Sequence, residues 1–291
     1  MRMASDSKKS YFLPKSLNEL DELALSQKEE LTFVAGTTDL MVQEKAWQQA
    51  NNLVDLTSLP ELSKTLQVQD KGVLIGAALP ISDLISNPIV REKFPILVDV
   101  CRQIGSVQIQ NRATLGGNIA NASPAGDSLP VLAVLDAEIW IGPRARGEFL
   151  KQKIDQIMIG PGQTSLAKNN YIAKIYIPFP KSENQFWYFR KVGQRKALAI
   201  SKVSLAVLGW MKDKKIDEIR ICTGSVTAQI KRAEKTENLL SNNLLTEEII
   251  ENARVSIINE VEPISDIRST RDYRKHICGE LLREALYNLL S

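Results

Sequence analysis

Apolar positions along this chain come in short blocks whose spacing switches between helical and extended periods. Residues 17–25 carry apolar side chains at helical intervals, 32–35 form a brief β-type run, 40–49 return to the helical period, and 52–57 read as a second strand. Leu66, Val68, Val73 and Ile75 alternate around Asp70-Lys71-Gly72, which predicts a strand pair closed by a tight turn. Residues 81–85 and 89–104 are helical, broken at Pro88 and Pro95. Residues 129–135 give one more helix, and 138–141 and 171–177 two strands. Pro178-Phe179-Pro180 and the polar residues up to Asn184 stop the last of these and mark an internal boundary. Beyond it the pattern predicts strands at 186–192, 203–211 and 218–223, then helices at 233–240, 246–255 and 269–290.

Mixed order of this kind fits an α+β fold in which two subdomains, residues 11–57 and 58–180, stack with a ligand between them. A separate unit at 184–291 follows, and residues 1–10 form a polar N-terminal tail. With 291 residues, 44% of them hydrophobic, the chain can bury the core such an arrangement needs. Its net charge of only +3 argues against a nucleic-acid partner. Basic clusters at 212–215 and at Lys231-Arg232 read as solvated surface. No run approaches the ~20 apolar residues of a membrane span, and residues 1–10 hold no secretory apolar core, so a cytoplasmic location is expected. Cys101, Cys222 and Cys278 are scattered and odd in number, which suits reduced thiols and falls short of the four that an iron–sulfur cluster takes. His276, the one histidine, lies beside a helical stripe of Tyr273, Ile277, Leu281 and Ala285, which suits a helix surface and leaves no Ser-His-Asp triad.

Candidate chemistry concentrates in two small-residue segments. Residues 114–127 hold Thr114, the pair Gly116-Gly117, Asn118, Asn121, Ser123 and Asp127. The glycines can take positive φ and turn successive N–H groups toward one anion, and their missing Cβ atoms let a ligand approach the main chain. Asn118, Asn121 and Ser123 add neutral donors and acceptors, and Asp127 an acceptor pair suited to sugar-type hydroxyls. Upstream, Ala35-Gly36-Thr37-Thr38-Asp39 ends a short apolar strand, with Thr38 or Asp39 placed to cap a following helix. Together the two suit a dinucleotide with a polyol arm. A glycine-rich hairpin with a capped helix behind it is the bland alternative. The chain lacks both G-x-G-x-x-G after a strand and G-x-x-x-x-G-K-[ST], so the common nucleotide folds are excluded.

These segments resemble the FAD-binding, or medium, subunit of the molybdenum hydroxylases, the xanthine dehydrogenase and carbon monoxide dehydrogenase family. The likeness runs through Ala35 to Leu40, Asn111-Arg112 to Asp127, Gly160 to Leu166, Ile175 to Pro178, Phe189-Arg190-Lys191 with Arg195, and Asp266-Ile267-Arg268 with Tyr273-Arg274. One departure stands in the first loop, where Thr37 replaces the family's second glycine. A threonine at positive φ is strained, so either Thr37 has ordinary angles or the upstream half of the pyrophosphate site is altered.

The resemblance implies an FAD-binding domain of the PCMH type followed by a small C-terminal α+β domain with an antiparallel sheet. Ala35 to Asp39 and Thr114 to Asn118 would hold the pyrophosphate of noncovalent FAD, Asn121 and Ser123 the adjoining arm, and Asp127 the ribityl hydroxyls. Ile172 would be an apolar wall of the ring pocket and Lys191 a cation beside the ring. A molybdopterin-binding subunit and a subunit with 2Fe-2S clusters would deliver electrons, and NAD or another acceptor would take them. Bacterial xanthine dehydrogenase is the nearest expectation. Aldehyde, nicotinate and carbon monoxide dehydrogenases, a stand-alone flavin oxidase and a non-catalytic flavin-binding protein are the alternatives.

Overall fold

The computed structural model describes residues 9–181, 183–195 and 198–290, so residues 1–8 of the expected tail lie outside the described residues. Ser10 is not tail: it opens the first strand. Three strands, β1 (Ser10–Phe12), β2 (Thr32–Val34) and β3 (Asn52–Asp55), form a parallel sheet with β3 in the middle. Parallel neighbours need crossovers. The helix Leu17–Ser26 supplies one, capped where the Ser16 hydroxyl accepts from the Glu19 N–H at 3.2 Å. The second crossover departs from the helix expected at 40–49, because only Glu44–Gln49 is helical. Residues 38–42 form turns, in which Leu40 packs on Val34, Ala50 and Leu53 while Met41 and Val42 stay exposed, too little burial to reward a longer helix.

The second layer is a five-stranded antiparallel sheet built from β4 (Leu66–Gln69), β5 (Gly72–Gly76), β6 (Glu138–Ala145), β7 (Glu148–Lys153) and, after a small hairpin of β8 (Met158–Gly160) with β9 (Gln163–Thr164), the central β10 (Tyr171–Pro178). Helices Pro95–Arg102 and Ser128–Val134 pack together against it, burying Leu97, Leu129 and Leu132 with Ile75, Ile139 and Ile175. Asp21 ties the first layer to this one. It accepts from the Tyr171 hydroxyl at 2.6 Å and from Arg144 Nε at 2.7 Å, with all three side chains largely buried.

The third layer is an antiparallel sheet of β11 (Gln185–Val192), β12 (Val203–Lys212), β13 (Lys215–Gly224) and the short β14 (Asn243–Leu244). Strand β12 explains the near-continuous apolar run at 203–211. Val203, Leu205 and Val207 face a core shared with helices Glu247–Glu260 and Arg271–Tyr287, while Ala206, Leu208 and Trp210 face the core of the five-stranded sheet. Both faces are covered, so period-two alternation has no polar side to show. For the same reason every residue of the helix Ser128–Val134 is buried, sandwiched between two sheets.

Helix Arg271–Tyr287 buries Arg274, Cys278, Leu281, Leu282, Ala285 and Leu286. The expected stripe is therefore turned slightly, leaving Tyr273 exposed because Arg274, held by two hydrogen bonds, takes the inward position. His276 is exposed on the same helix. All three cysteines are free and buried, and burial pushes the thiols of Cys101 and Cys278 up to about 12. No helix among the described residues is long and apolar enough to cross a membrane.

Asp21→Ala strands the Tyr171 hydroxyl and removes the counter-charge of Arg144, which keeps only its bond to the Asn18 side chain, at the seam between the first two sheets. The expected loss is about 3 kcal/mol, as for other broken buried pairs, read as a lower urea midpoint with an unchanged slope.

Candidate functional site

The two small-residue segments meet by backbone contact. At Gly36 a Cβ atom would stand 1.8 Å from the Arg112 carbonyl oxygen and 2.4 Å from its carbon, so only glycine lets the chain leaving β2 lie against the second segment. Thr37 follows at φ 56, in the left-handed region. Of the two outcomes expected for Thr37, ordinary backbone angles is thus not the one adopted. Strain of about 1–2 kcal/mol is the usual cost for a non-glycine residue there; here the hydroxyl of Thr37 donates to the Gly36 carbonyl at 2.8 Å and partly offsets it. Among the described residues, the N–H groups of Gly36, Thr37, Thr38 and Asp39 donate to no protein acceptor. Successive unpaired amides around a left-handed residue make a concave anion-binding surface. Neither Thr38 nor Asp39 caps a helix: the helix begins at Glu44 without a side-chain cap, and the Asp39 carboxylate accepts instead from the Gln43 amide.

The second segment is organised differently from the expected open glycine loop. Gly116 and Gly117 lie in the first turn of a helix, Leu115–Asn121, with ordinary helical angles. Their amides are already used, Gly116 N–H on the Ala77 carbonyl at 3.1 Å and Gly117 N–H on the Thr114 hydroxyl at 2.9 Å. Gly116 is required by contact, since its Cβ would fall 2.5 Å from the Ala77 oxygen. Gly117, which borders the cleft, is less confined: an added Cβ would meet one atom, Thr114 Oγ1 at 3.1 Å, a tight contact that the hydroxyl must ease by a few tenths of an ångström. The unspent amide donors therefore belong to the first segment, and the second contributes close approach and side-chain amides.

Asn118 accepts from the Ser128 hydroxyl at 2.6 Å, and Ser123 from the Ala125 N–H at 3.3 Å. The side chain of Asn121 bonds to nothing among the described residues and lines the cleft. The helix closes at Ala122, whose carbonyl accepts from the Gly162 N–H at 2.9 Å, bringing the β8–β9 turn to the rim. At the far end Asp127 and Lys191 form a buried ion pair of 2.8 Å. Lys191 also donates to the carbonyls of Gln103 at 2.9 Å and Ala199 at 3.2 Å, so its three N–H groups are all used. Asp127 accepts further from the Ser201 hydroxyl at 2.5 Å. The lysine thus joins β11 to the start of helix Ser128–Val134 as a neutralised clamp.

Two cavities result, of 430 Å³ along the first segment and 670 Å³ toward Lys191. Asp39, Gln43, Ile104, Asn118, Ala120 and Asn121 line both, so they form one trough. Ala35, Gly36, Thr37, Thr38, Asp39, Thr114 and Gly117 border the smaller part, and Ser123, Asp127 and Lys191 the larger. Gly116 lies beneath the wall. Ile172 is not brought to the trough: it is buried within β10 and packs in the core of the five-stranded sheet, because its strand is covered on both faces. The apolar lining comes instead from Ile104, Leu198 and Ile200. Sequence reasoning missed these three, although Gly105, at φ 54 directly after Ile104, marks the turn that places it, and Leu198 and Ile200 are apolar residues in an otherwise polar stretch. A row of unspent amides, then side-chain amides, then an apolar and hydroxyl-binding chamber fits the pyrophosphate, polyol and ring of FAD.

Gly36→Ala and Gly117→Val should separate packing from binding. The first cannot be accommodated without moving the Arg112 backbone, so both thermal stability and flavin content fall. The second leaves the melting temperature within a few degrees and weakens FAD by tenfold or more, through the roughly 1–3 kcal/mol that an intruding side chain costs in a fitted site, read by absorbance titration.

Residues 5–180 match the family model described as the FAD binding domain in molybdopterin dehydrogenase, and residues 187–289 match the CO dehydrogenase flavoprotein C-terminal domain. The chain is 28% identical to the carbon monoxide dehydrogenase medium chain of Hydrogenophaga pseudoflava, with 95% of each covered. It is equally similar, at 28% and the same coverage, to the nicotine 6-hydroxylase medium subunit of Paenarthrobacter nicotinovorans. It is 25% identical to a xanthine dehydrogenase FAD-binding subunit of Escherichia coli O157:H7, over 90% of this chain and 89% of that one. A solved structure of the Hydrogenophaga carbon monoxide dehydrogenase superposes with a TM-score of 0.88 at 27% identity, covering 96% of each chain. The trough between two glycine-dependent segments and the match along nearly the whole chain lead to one conclusion: this protein belongs to the FAD-binding subunits of the molybdopterin dehydrogenases, and is an FAD-dependent oxidoreductase subunit.

Proposed function

We propose that this chain holds FAD in the trough, takes electrons from the 2Fe-2S clusters of one partner subunit, themselves supplied by a molybdopterin-binding subunit, and passes them to NAD or another acceptor. The observation that carries the reading is the row of unspent amides at Gly36 to Asp39, set opposite the bare Cα of Gly117 in one continuous cleft. Those amides hold the pyrophosphate, with Ala35 and Thr114 shaping the walls. Asn118, Asn121 and Ser123 take the adjoining arm. Asp127 keeps lone pairs for ribityl hydroxyls, since each of its oxygens accepts a single protein bond. Lys191 fixes the C-terminal sheet against this point. FAD, when bound, supplies an acceptor of single electrons that can release them as a pair.

The purine substrate expected from the sequence is supported by the xanthine dehydrogenase relative at 25%, and carbon monoxide or an N-heteroaromatic by relatives at 28%. In each case the oxidised compound meets the molybdenum subunit, so substrate choice belongs to that polypeptide. The residues of this chain act on the flavin and not on the oxidised compound.

Co-expression with the neighbouring reading frames tests the assignment. The expected product is a complex with an oxidised-flavin spectrum, molybdenum and iron, whose flavin passes into the supernatant on acid precipitation. A flavin-loaded chain that captures no such partners would make it a stand-alone flavoprotein, and a chain that never retains FAD would remove the binding reading.

A further inference from the structure

The larger chamber of the trough has two loop walls, residues 123–127 on one side and 198–200 on the other. A residue that borders neither part of the trough joins them from behind. Ser225, the first residue after β13, stands at φ 64, in the left-handed region that glycine enters freely and serine does not. Its N–H donates to the Pro124 carbonyl at 2.9 Å, in the first wall. Its hydroxyl donates to the Ser201 carbonyl at 3.0 Å, directly after the second. Its own carbonyl accepts from Arg274 at 2.7 Å. Ser225 is buried, and each of its polar groups is spent on a different element. A left-handed angle in a residue other than glycine persists only where its surroundings over-determine it, and these three bonds do so. The neighbouring Gly224 is glycine for another reason, since its Cβ would fall 2.3 Å from the Ser204 hydroxyl. Backbone angle alone would select glycine at 225 as well; what serine adds there is the hydroxyl.

That hydroxyl leads to the cofactor end of the cleft. The Ser201 hydroxyl donates to one oxygen of Asp127 at 2.5 Å, and Lys191 donates to the other at 2.8 Å. With a separate donor on each oxygen, the carboxylate is held in one orientation, and the placement of Ser201 decides which. Ser201 is itself buried, and its carbonyl is the group that Ser225 holds. Behind Ser225, the almost fully buried Arg274 is anchored on Asp266 at 2.6 Å. Asp266 also accepts from the Arg268 N–H at 2.8 Å, which closes its own turn. The series Asp266, Arg274, Ser225, Ser201, Asp127 therefore runs from a turn of the C-terminal unit to the end of the trough, with a carboxylate at each end to strengthen the bonds between.

We propose that Ser225 is a positioning residue for the flavin: mounted on Arg274, it sets the orientation of Asp127 through Ser201 and so presents that carboxylate to the ribityl chain. The inference rests on the flavin reading above and extends it to a residue that touches no part of the cofactor. A carboxylate already fixed by its neighbours spares FAD the entropy cost of fixing it on binding.

Two substitutions in the full chain separate positioning from stability. Ser225→Gly keeps the angle and both backbone bonds and deletes only the hydroxyl; Ser225→Ala deletes the hydroxyl and keeps the strain. FAD affinity, read by absorbance titration, should fall about tenfold in both variants, the worth of one hydrogen bond. The melting temperature of Ser225→Gly should nevertheless lie above that of Ser225→Ala. A role in stability alone would make affinity follow melting temperature, and that outcome would overturn the proposal. In a Ser201→Ala background, which already lacks the bond to Asp127, Ser225→Gly should cost no further affinity. An undiminished loss in that background, or an unchanged affinity for Ser225→Gly alone, would also overturn it. Failure of the wild-type chain to take up FAD would count against the flavin reading instead. Amide hydrogen exchange on the FAD-free chain then still decides whether Ser225 holds the chamber: Ser225→Gly should speed exchange at 123–127 and 198–202 and leave β6 unchanged, and unaltered exchange in both walls would refute it.

Discussion

The cleft depends on one close approach, that of the Gly36 backbone to the carbonyl of Arg112. A single methyl group at Gly36 would overlap that carbonyl, and its absence lets the end of β2 lean on the segment that leads into helix Leu115–Asn121. That segment is in turn pinned to the five-stranded sheet, with the Ile81 N–H on the Ala113 carbonyl at 2.9 Å and Gly116 on Ala77. Two sheets that share no strand are thereby held at a fixed separation, and the gap between them becomes a trough. With Gly36 committed to contact, the chain turns sharply at Thr37, and among the described residues four amides there are left without protein acceptors. Packing and anion binding thus have a common cause.

The other end of the trough is set by charge. Asp127 precedes a helix buried on every side, where an unpaired carboxylate would be costly to desolvate. Lys191 answers it from β11, and Ser201 and the carbonyls of Gln103 and Ala199 complete the set. The C-terminal sheet therefore serves the cleft in two ways: it covers the outer face of helix Ser128–Val134, and it delivers the lysine that pairs with Asp127 at the end of the trough.

Much of this was legible in the residues. The strands at 32–35, 52–57 and 171–177 and the two-faced run at 203–211 announced themselves because burial on a sheet demands β-branched and leucine side chains in unbroken or alternating order. The glycine segments stood out because small residues in series give up side-chain burial and are kept only where backbone must come close or turn. What the sequence concealed was which glycine does what. Gly116 and Gly117 look like turn-formers, yet the Thr114 hydroxyl caps them into a helix, a choice decided by the contact of Gly116 with Ala77, distant in sequence. Ile172 was expected at the ring pocket from the family resemblance alone. Only the covering of both faces of β10 removes it, and Ile104 and Ile200, on a turn and a loop, stand at the chamber in its place.

The neutralised clamp also changes where positive charge can act. Lys191, alone, would have been the natural cation to favour a reduced, anionic ring, but its charge is balanced by Asp127 at 2.8 Å and its donors are spent. At an effective dielectric of about 20, a charge pair so close presents to its surroundings a dipole whose influence fades within a few ångströms. Among the described residues the cations lining this part of the cleft outside any ion pair are Arg195, Lys202 and Arg268, at its mouth, and the net positive potential there comes from them. Charge is thereby paired inside the cleft and left outside ion pairs at its mouth, a distribution whose potential is more positive at the rim than in the interior.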